Sequence, residues 1–317
     1  MQVWRGLDAV PADWPGSVVS IGVYDGVHRG HRTILDRAVA EARAREAASV
    51  VVTFDPHPAA VVGRPVPLML GTLHNRARWL AEIGIDALLI LPFTRELSER
   101  SPEEFVELVL ADRLHAVHVV VGENFRFGHK QAGDVTLLAE LGMKAGFTVE
   151  AVGLVRGSEE PFSSTFIRNR LADGDVEAAA EALGRPHRVE GPVVRGDARG
   201  KQLGYPTANL EVLDGVAVPG DGVYAGYLVR LAHPGQNRGP GERLPAAISV
   251  GTNPTFDGTE RRVEAYVLDA DIDLYGEHVG IEFTHRLRGM VRFDGIEPLV
   301  EQMGEDVRRT RELLQVL

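Results

Sequence analysis

Three glycines and two histidines fall inside Gly22-Val23-Tyr24-Asp25-Gly26-Val27-His28-Arg29-Gly30-His31. The segment follows a β-branched apolar run, Ser17–Val23. It leads into Ile34, Leu35, Ala38, Val39 and Ala42, which recur at helical spacing. A strand that turns through glycines into a helix is a ready anion site. The first helical N–H groups lack internal partners, the helix dipole is positive there, and glycines let a phosphate approach the backbone. Gly22, Gly26 and Gly30 supply the room. His28 and His31 supply donors that can carry a proton near neutral pH. A zinc reading of the two histidines is weaker, because their spacing of three calls for a third ligand that no local motif supplies. An ordinary tight connection with incidental histidines is the plain alternative.

A second phosphate-suited segment is Gly196-Asp197-Ala198-Arg199-Gly200-Lys201-Gln202-Leu203-Gly204-Tyr205-Pro206-Thr207-Ala208-Asn209. Gly196, Gly200 and Gly204 with Lys201 suggest a flexible cationic loop for nucleotide phosphates. Thr207 and Asn209, two apart, would share one face of a strand and offer hard oxygens to a single Mg²⁺. Glu264 lies in an apolar strand pattern, Val263–Leu268, and suits a general base for a hydroxyl. An outward-facing strand glutamate fits the same alternation. Ser163, Ser164 and Thr165 precede Phe166 as helix caps, with Arg168 one turn in, an arrangement that suits an anion as well as an ordinary cap.

The elements that must position these groups change character along the chain. The first half alternates strands (Ser49–Phe54, Asp86–Leu91, Val117–Val121) with helices (Thr72–Ile83, Val135–Ala145), and Ser101, Pro102 and Glu104 form a capping box. Such alternation predicts a mostly parallel sheet covered by helices. A helix over Asp175–Leu183 ends at Gly184-Arg185-Pro186. Six strand-like runs follow: His187–Val194, Thr207–Val212, Val223–Leu231, Ala246–Val250, Arg262–Leu268 and Val279–Leu287. They predict a small antiparallel barrel, closed by a helix over Glu297–Leu317. Leu231–Leu244, rich in Pro and Gly, reads as an exposed mobile loop. Two domains, 1–185 and 186–317, are therefore expected, in keeping with a length of 317 residues.

Composition is that of a globular chain, with 44% hydrophobic and 25% charged residues. A net charge of −11 and the lack of any long basic run argue against nucleic acid or an anionic membrane as partner. The absence of cysteine excludes disulfides and thiolate chemistry. With no apolar leader and no apolar stretch long enough to span a bilayer, a cytoplasmic protein is expected. The oligomeric state is not legible.

Further segments give the motifs a common context. The longer form Tyr24-Asp25-Gly26-Val27-His28-x-Gly30-His31 resembles the nucleotidyltransferase signature of bacterial bifunctional riboflavin kinase/FAD synthetases. So do Thr53-Phe54-Asp55-Pro56-His57-Pro58, Gly122-Glu123-Asn124-Phe125-Arg126-Phe127-Gly128 and Ser163-Ser164-Thr165-Phe166-Ile167-Arg168. In the second half the resemblance continues through Gly204-Tyr205-Pro206-Thr207-Ala208-Asn209, Pro254-Thr255-Phe256, and Val263-Glu264 followed by Asp273-Leu274-Tyr275-Gly276. It spans essentially the whole chain, in matching order. Tyr24 stands where the family usually has Phe, Tyr266 where a His is common, and Met290 where a Glu is frequent two positions after Arg288.

The resemblance implies phosphorylation of riboflavin to FMN by MgATP in the second domain, then adenylylation of FMN to FAD in the first. Riboflavin, FMN and ATP would be the small-molecule partners. His28, His31, Asn124 and Arg168 would handle ATP phosphates, with Gly22, Tyr24, Asp25, Gly26, Gly30, Ser163, Ser164 and Thr165 around them. Phe54, Pro56, His57, Pro58, Phe125 and Arg288 would lie at flavin. Gly196, Gly200, Lys201 and Gly204 would take the second nucleotide, Thr207 and Asn209 its Mg²⁺, and Glu264 would act as base. An enzyme with one competent domain, or a non-catalytic flavin sensor, are the alternatives. The intact polar set argues against both.

Overall fold

The computed structural model describes residues 1–157, 160–196, 199–231, 241–251, 262–270 and 272–316, with the backbone alone for Arg199 and Lys201. Pro254-Thr255-Phe256 and most of the 231–244 segment lie outside the described residues. The chain forms two compact units. One is Met1–Pro67 with Thr72–Ser163, the other Leu68–Gly71 with Ser164–Leu317.

The first unit contains β1 (Gln2–Arg5), β2 (Ser17–Ile21), α1 (Arg29–Ala44), β3 (Ala48–Asp55), α2 (Pro58–Val61), α3 (Leu73–Ile83) and β4 (Ala87–Pro92). It continues through α4 (Arg95–Glu99), α5 (Pro102–Phe105), β5 (Ala116–Gly122), α6 (Val135–Ala145) and β6 (Thr148–Val152). Its strands pair in parallel in the order β1-β4-β3-β2-β5-β6. Every residue of β2 is buried, which is why it reads as an unbroken apolar run with small polar residues at 17 and 20. Alternate residues serve opposite faces. Val50 and Val52 join the cluster around Leu89, Leu110 and Val119, while Val51 joins Leu35, Leu80 and Leu88. The capping box of Ser101 and Glu104 is formed, and Thr72 with Asn75 makes another. After α5 the backbone widens into π-helical turns over Val106–Ala111. Two strands escape the sequence pattern. β1 buries only Trp4, and no residue of β6 is fully buried.

The second unit opens with α7 (Ser164–Ala172) and α8 (Val176–Leu183). It then contains β7 (His187–Val194), α9 (Arg199–Gln202), β8 (Ala208–Leu210), β9 (Gly222–Arg230), β10 (Arg243–Gly251), β11 (Arg262–Val267), β12 (His278–Arg288) and α10 (Ile296–Leu314). The six strands close an antiparallel barrel in the order β10-β11-β8-β7-β12-β9, with β9 pairing back to β10. Alternation fills its interior: Ala246, Ile248 and Val250 from β10 and Val263, Ala265 and Val267 from β11 are buried. Among the described residues no helix is long and apolar enough to cross a membrane.

The expected boundary at residue 185 falls between α8 and β7, whereas both preceding helices belong to the compact second unit. α8 packs on β7 and β12 through a face that buries Val176, Ala179, Ala182 and Leu183. Arg286 Nη1 donates to Asp173 O at 2.6 Å, and Gly220 N donates to Leu171 O at 2.7 Å. Gly174 leaves the space that the Tyr224 hydroxyl and Arg286 occupy, since a Cβ there would stand 2.7 Å from Tyr224 Oη. A fragment beginning at Ser164 is therefore expected to be more stable than one beginning at Arg185. Re-exposing one helix-packing face corresponds to about 2–4 kcal/mol, or roughly 10 °C in Tm. Thermal unfolding of both fragments measures this, and equal Tm values would show that α7 and α8 contribute nothing to the barrel.

Candidate active sites

The chain path in the first unit runs from β2 outward to β3 and β4, then returns to β5 on the other side of β2. β2 and β5 thus flank a topological switch point, where open α/β sheets take ligands outside the carboxyl ends of their strands. The Gly22–His31 segment leaves β2 at that point. Tyr24, Gly26 and Val27 have φ of 51°, 77° and 39°. The value at a β-branched residue such as Val27 is uncommon and marks a strained turn. Tyr24 is buried against Gly22, where a Cβ would lie 3.1 Å from the ring. Its hydroxyl is 2.6 Å from Ser20 Oγ, which donates to Val120 O at 2.5 Å, so the turn is tied to both switch-point strands. Burial pushes the Tyr24 phenol far above its ordinary pKa.

His28 caps α1: its Nδ1 accepts from His31 N at 3.3 Å, and the helix starts at Arg29. The two imidazoles stack, with ring centres 3.6 Å apart. His31 Nδ1 is buried without a hydrogen-bond partner. Burial, then His28, then Arg76 hold the pKa of His31 well below the ordinary imidazole value. His31 is therefore neutral around pH 7, which narrows the expectation that either histidine carries a proton there. A bound phosphate would reverse the sign of the local field. Gly30 admits the His28 ring and the Phe162 carbonyl, 3.2 and 3.4 Å from where a Cβ would stand.

The neighbouring strand ends bring up the other residues singled out in this unit. After β5, Phe125 N donates to Gly122 O at 3.0 Å, leaving Asn124 exposed at the turn. Phe125 stacks on Phe127 at 5.6 Å. After β3, Phe54 meets Phe93 edge-on at 5.4 Å, and Pro56 and His57 lead into α2, whose first residue is Pro58. His57 caps α2 by accepting from Ala59 N at 3.1 Å. Asp25 is buried within the turn. β3, β2 and β5 are adjacent, so His57, the two stacked histidines and Asn124 emerge from three consecutive strand ends. Sequence reasoning quoted Thr53 within a motif without giving it a role and missed Arg76; both are buried beneath this site. Arg76 stands at helical spacing among the apolar positions Leu73, Ala77 and Leu80, a signal that would have found it.

On the barrel, Glu264 pairs with Asn209 of β8 on one side and Ser249 of β10 on the other. Its neighbours Val263 and Ala265 point inward, so Glu264 faces out from the barrel wall. It is not an isolated surface carboxylate, because Thr207 Oγ1 donates to Glu264 Oε2 at 3.0 Å. Thr207 lies just before β8, outside the strand expected to hold it. Asn209 is nearly buried and its Oδ1 has no hydrogen-bond partner. Gly196 makes room for that amide, since a Cβ there would stand 2.5–2.6 Å from it. The Gly-rich stretch is not wholly a loop: α9 forms one helical turn between Gly196 and Gly204, and Tyr205 N returns to Gly200 O at 2.8 Å. Gly200 is required by the approach of the Tyr205 carbonyl, and Gly204 has φ of 84°. The Lys201 side chain lies outside the described residues. A cavity of about 470 Å³ opens beside Asn209, lined also by Arg195, Gly196, Glu211, Asp214 and Arg262. Two hard oxygens, one of them an orphaned buried carbonyl, fit Mg²⁺, which takes few protein ligands and completes its shell with phosphate and water. Among the described residues no cluster of three His, Asp or Glu offers a metal site.

The remaining expected residues fall in the second unit, except Ser163, which ends the first. Ser163 precedes α7, Ser164 and Thr165 lie in its first turn, and Arg168 Nε donates to Leu68 O at 2.7 Å. Arg288 is held by both oxygens of buried Asp306 on α10, at 2.7–3.1 Å. Met290, noted as a departure from the family pattern, packs near Val223, Ala225 and Leu287.

The switch-point turn and the outward barrel carboxylate are thus two separate groups of polar side chains, one in each unit. Residues 10–166 match the family described as FAD synthetase, and residues 183–314 that described as riboflavin kinase. The chain is 34% identical to the bifunctional riboflavin kinase/FMN adenylyltransferase of Escherichia coli (strain K12), over 98% of this chain and 97% of that protein. It is 36% identical to the Pseudomonas fluorescens enzyme of the same name, over 99% and 98%. A solved structure described as a macrolide-efflux protein from Streptococcus pneumoniae aligns with a TM-score of 0.87 at 32% identity, covering 98% of this chain and 99% of that one. The chain belongs to the bifunctional riboflavin kinase/FMN adenylyltransferase family.

Gly196 gives a test of the barrel site. Gly196→Ala is expected to displace the Asn209 amide and lower riboflavin phosphorylation by roughly tenfold or more, as small misplacements of a reacting group do. FAD formation from supplied FMN should be unchanged. Steady-state rates of both reactions check it, and parental riboflavin turnover would show that Asn209 is not part of the site.

Proposed function

We propose that the barrel unit phosphorylates riboflavin to FMN and the parallel-sheet unit adenylylates FMN to FAD, each using ATP at its own site. The observation that carries this reading is that the two family matches fall on two units, each with its own set of convergent polar side chains. Incubation with riboflavin, ATP and Mg²⁺, followed by separation of FMN from FAD, tests it. Both products are expected, and formation of FMN alone would refute the second half. ATP and free riboflavin are supplied in the cytoplasm, where this reading places the enzyme.

For the kinase, Glu264 takes the proton of the riboflavin 5′-hydroxyl as that oxygen attacks the γ-phosphorus of ATP and ADP departs. The hydrogen bond from Thr207 fixes the carboxylate that receives the proton. Backbone around Gly196, Gly200 and Gly204, with Lys201, would take the phosphates. Thr207 and Asn209 would hold Mg²⁺, which neutralises phosphate charge when bound. Replacing the base while keeping its shape separates catalysis from packing. Glu264→Gln is expected to lower FMN formation by about 10²–10⁴-fold, with riboflavin binding and FAD formation from FMN little altered. A folded variant with near-normal riboflavin turnover would reduce Glu264 to a wall residue.

For the adenylyltransferase, an FMN phosphate oxygen attacks the α-phosphorus of ATP in line and pyrophosphate leaves. The chain's part is positioning and charge stabilisation. The α1 N-terminus, reached past Gly22, Gly26 and Gly30, meets the phosphates. His28 and His31 donate from the same turn, and Asn124 orients from the adjacent strand end. Phe54, Pro56, His57, Pro58 and Phe125 would hold the flavin. His28→Ala with His31→Ala is expected to suppress FAD formation by on the order of 10²-fold or more while FMN formation persists. Unchanged FAD synthesis would remove the anion-site reading.

A further inference from the structure

Arg76 sits on the core-facing side of α3 and is 4% exposed. Burial strips its guanidinium of water, which disfavours the cation, and Asp25 and Asp55 oppose that effect through their charge. Its direct hydrogen bonding is sparse: Nη1 donates to Thr53 Oγ1 at 3.0 Å, while Nε is buried with no hydrogen-bond partner. An apolar side chain would fill this place at less expense to stability. The bond to Thr53 shows what the guanidinium does there. Thr53 is fully buried near the end of β3, and its hydroxyl passes the contact on by donating to Val23 O at 3.2 Å. Val23 opens the strained turn whose next residues, Tyr24, Gly26 and Val27, have positive φ.

We propose that Arg76 is a positioning residue for adenylyl transfer: through Thr53 it holds the Val23 carbonyl, and with it the turn that presents the α1 N-terminus to nucleotide phosphates. The proposal rests on the assignment of adenylyl transfer to this unit. A second link runs to His31. That imidazole stacks on His28, meets the Tyr24 ring edge-on at 5.1 Å, and feels the Arg76 cation, around which Asp25 and Asp55 are the acidic groups. Arg76 therefore favours the neutral imidazole.

The test uses the full-length chain with Arg76→Lys, Arg76→Met and Thr53→Val. FAD formation from FMN and ATP is followed across pH, and FMN formation from riboflavin serves as the internal control. Thr53→Val and Arg76→Met are expected to lower kcat for FAD formation by roughly 10- to 100-fold, with a smaller change in KM for ATP and no change in FMN formation. Within this proposal the site works with His31 neutral and stacked on His28, and removing the Arg76 cation lets it protonate more easily. The acid limb of the FAD profile should thus move to higher pH in Arg76→Met and stay in place in Arg76→Lys and Thr53→Val. A purely structural role would lower activity without moving that limb. Parental kcat in Thr53→Val, or an unmoved acid limb in folded Arg76→Met, overturns the proposal. Should Arg76→Met fail to fold, Thr53→Val alone decides: reduced kcat with normal FMN formation upholds the anchor, parental kcat removes it. FAD synthesis that survives His28→Ala with His31→Ala would instead sink the underlying site assignment, whatever Arg76 does.

Discussion

A parallel sheet covered on both faces leaves its strands no place for chemistry except their ends. β2 shows the constraint at its strictest, with all five residues buried. Side chains that must meet a charged ligand are therefore pushed past Ile21 into the turn, and past Gly122 and Asp55 on the flanking strands. The sheet order then decides which ends matter. β2 lies between β3 and β5, so one crevice gathers three turns far apart in sequence. The same constraint explains the strain at Val27. The chain must reverse from a buried strand into α1 within a few residues, and a β-branched residue is held at positive φ to do so.

The barrel solves the corresponding problem differently. Its interior is filled by alternate residues, so polar groups can occupy the intervening positions on the outer wall. Glu264, Asn209 and Ser249 share that wall because they pair directly across β11, β8 and β10. Registry, rather than sequence proximity, brings Asn209 and Glu264 together. Both units use glycine at places of close approach, most plainly at Gly196, whose missing Cβ is the space occupied by the Asn209 amide.

Much of this was legible in the sequence because it follows from local rules. The long periodic helices, the Ser101 capping box and the six barrel strands depend on nearest neighbours along the chain, and they appear where the pattern places them. What was not legible depends on tertiary partners. β1 buries one residue and β6 none fully, so neither has a hydrophobic period to read. The membership of α7 and α8 follows from what they pack against, which composition does not carry. In the sites, glycines, histidines and short-spaced donors stood out by type. Thr53 did not, since a Thr in a strand is ordinary until its burial is known, and Arg76 showed only through its helical spacing with Leu73, Ala77 and Leu80. The outward direction of Glu264 was likewise one of two parities that alternation allows.

Arg288 and Asp306 illustrate how an electrostatic need can be met from an unexpected place. The guanidinium at the end of β12 is neutralised by a carboxylate from the middle of α10, itself steadied by Gln302 Nε2 at 3.1 Å. Met290, two residues on, joins the apolar packing between barrel and helix. The last helix is thus the counter-ion of the last strand.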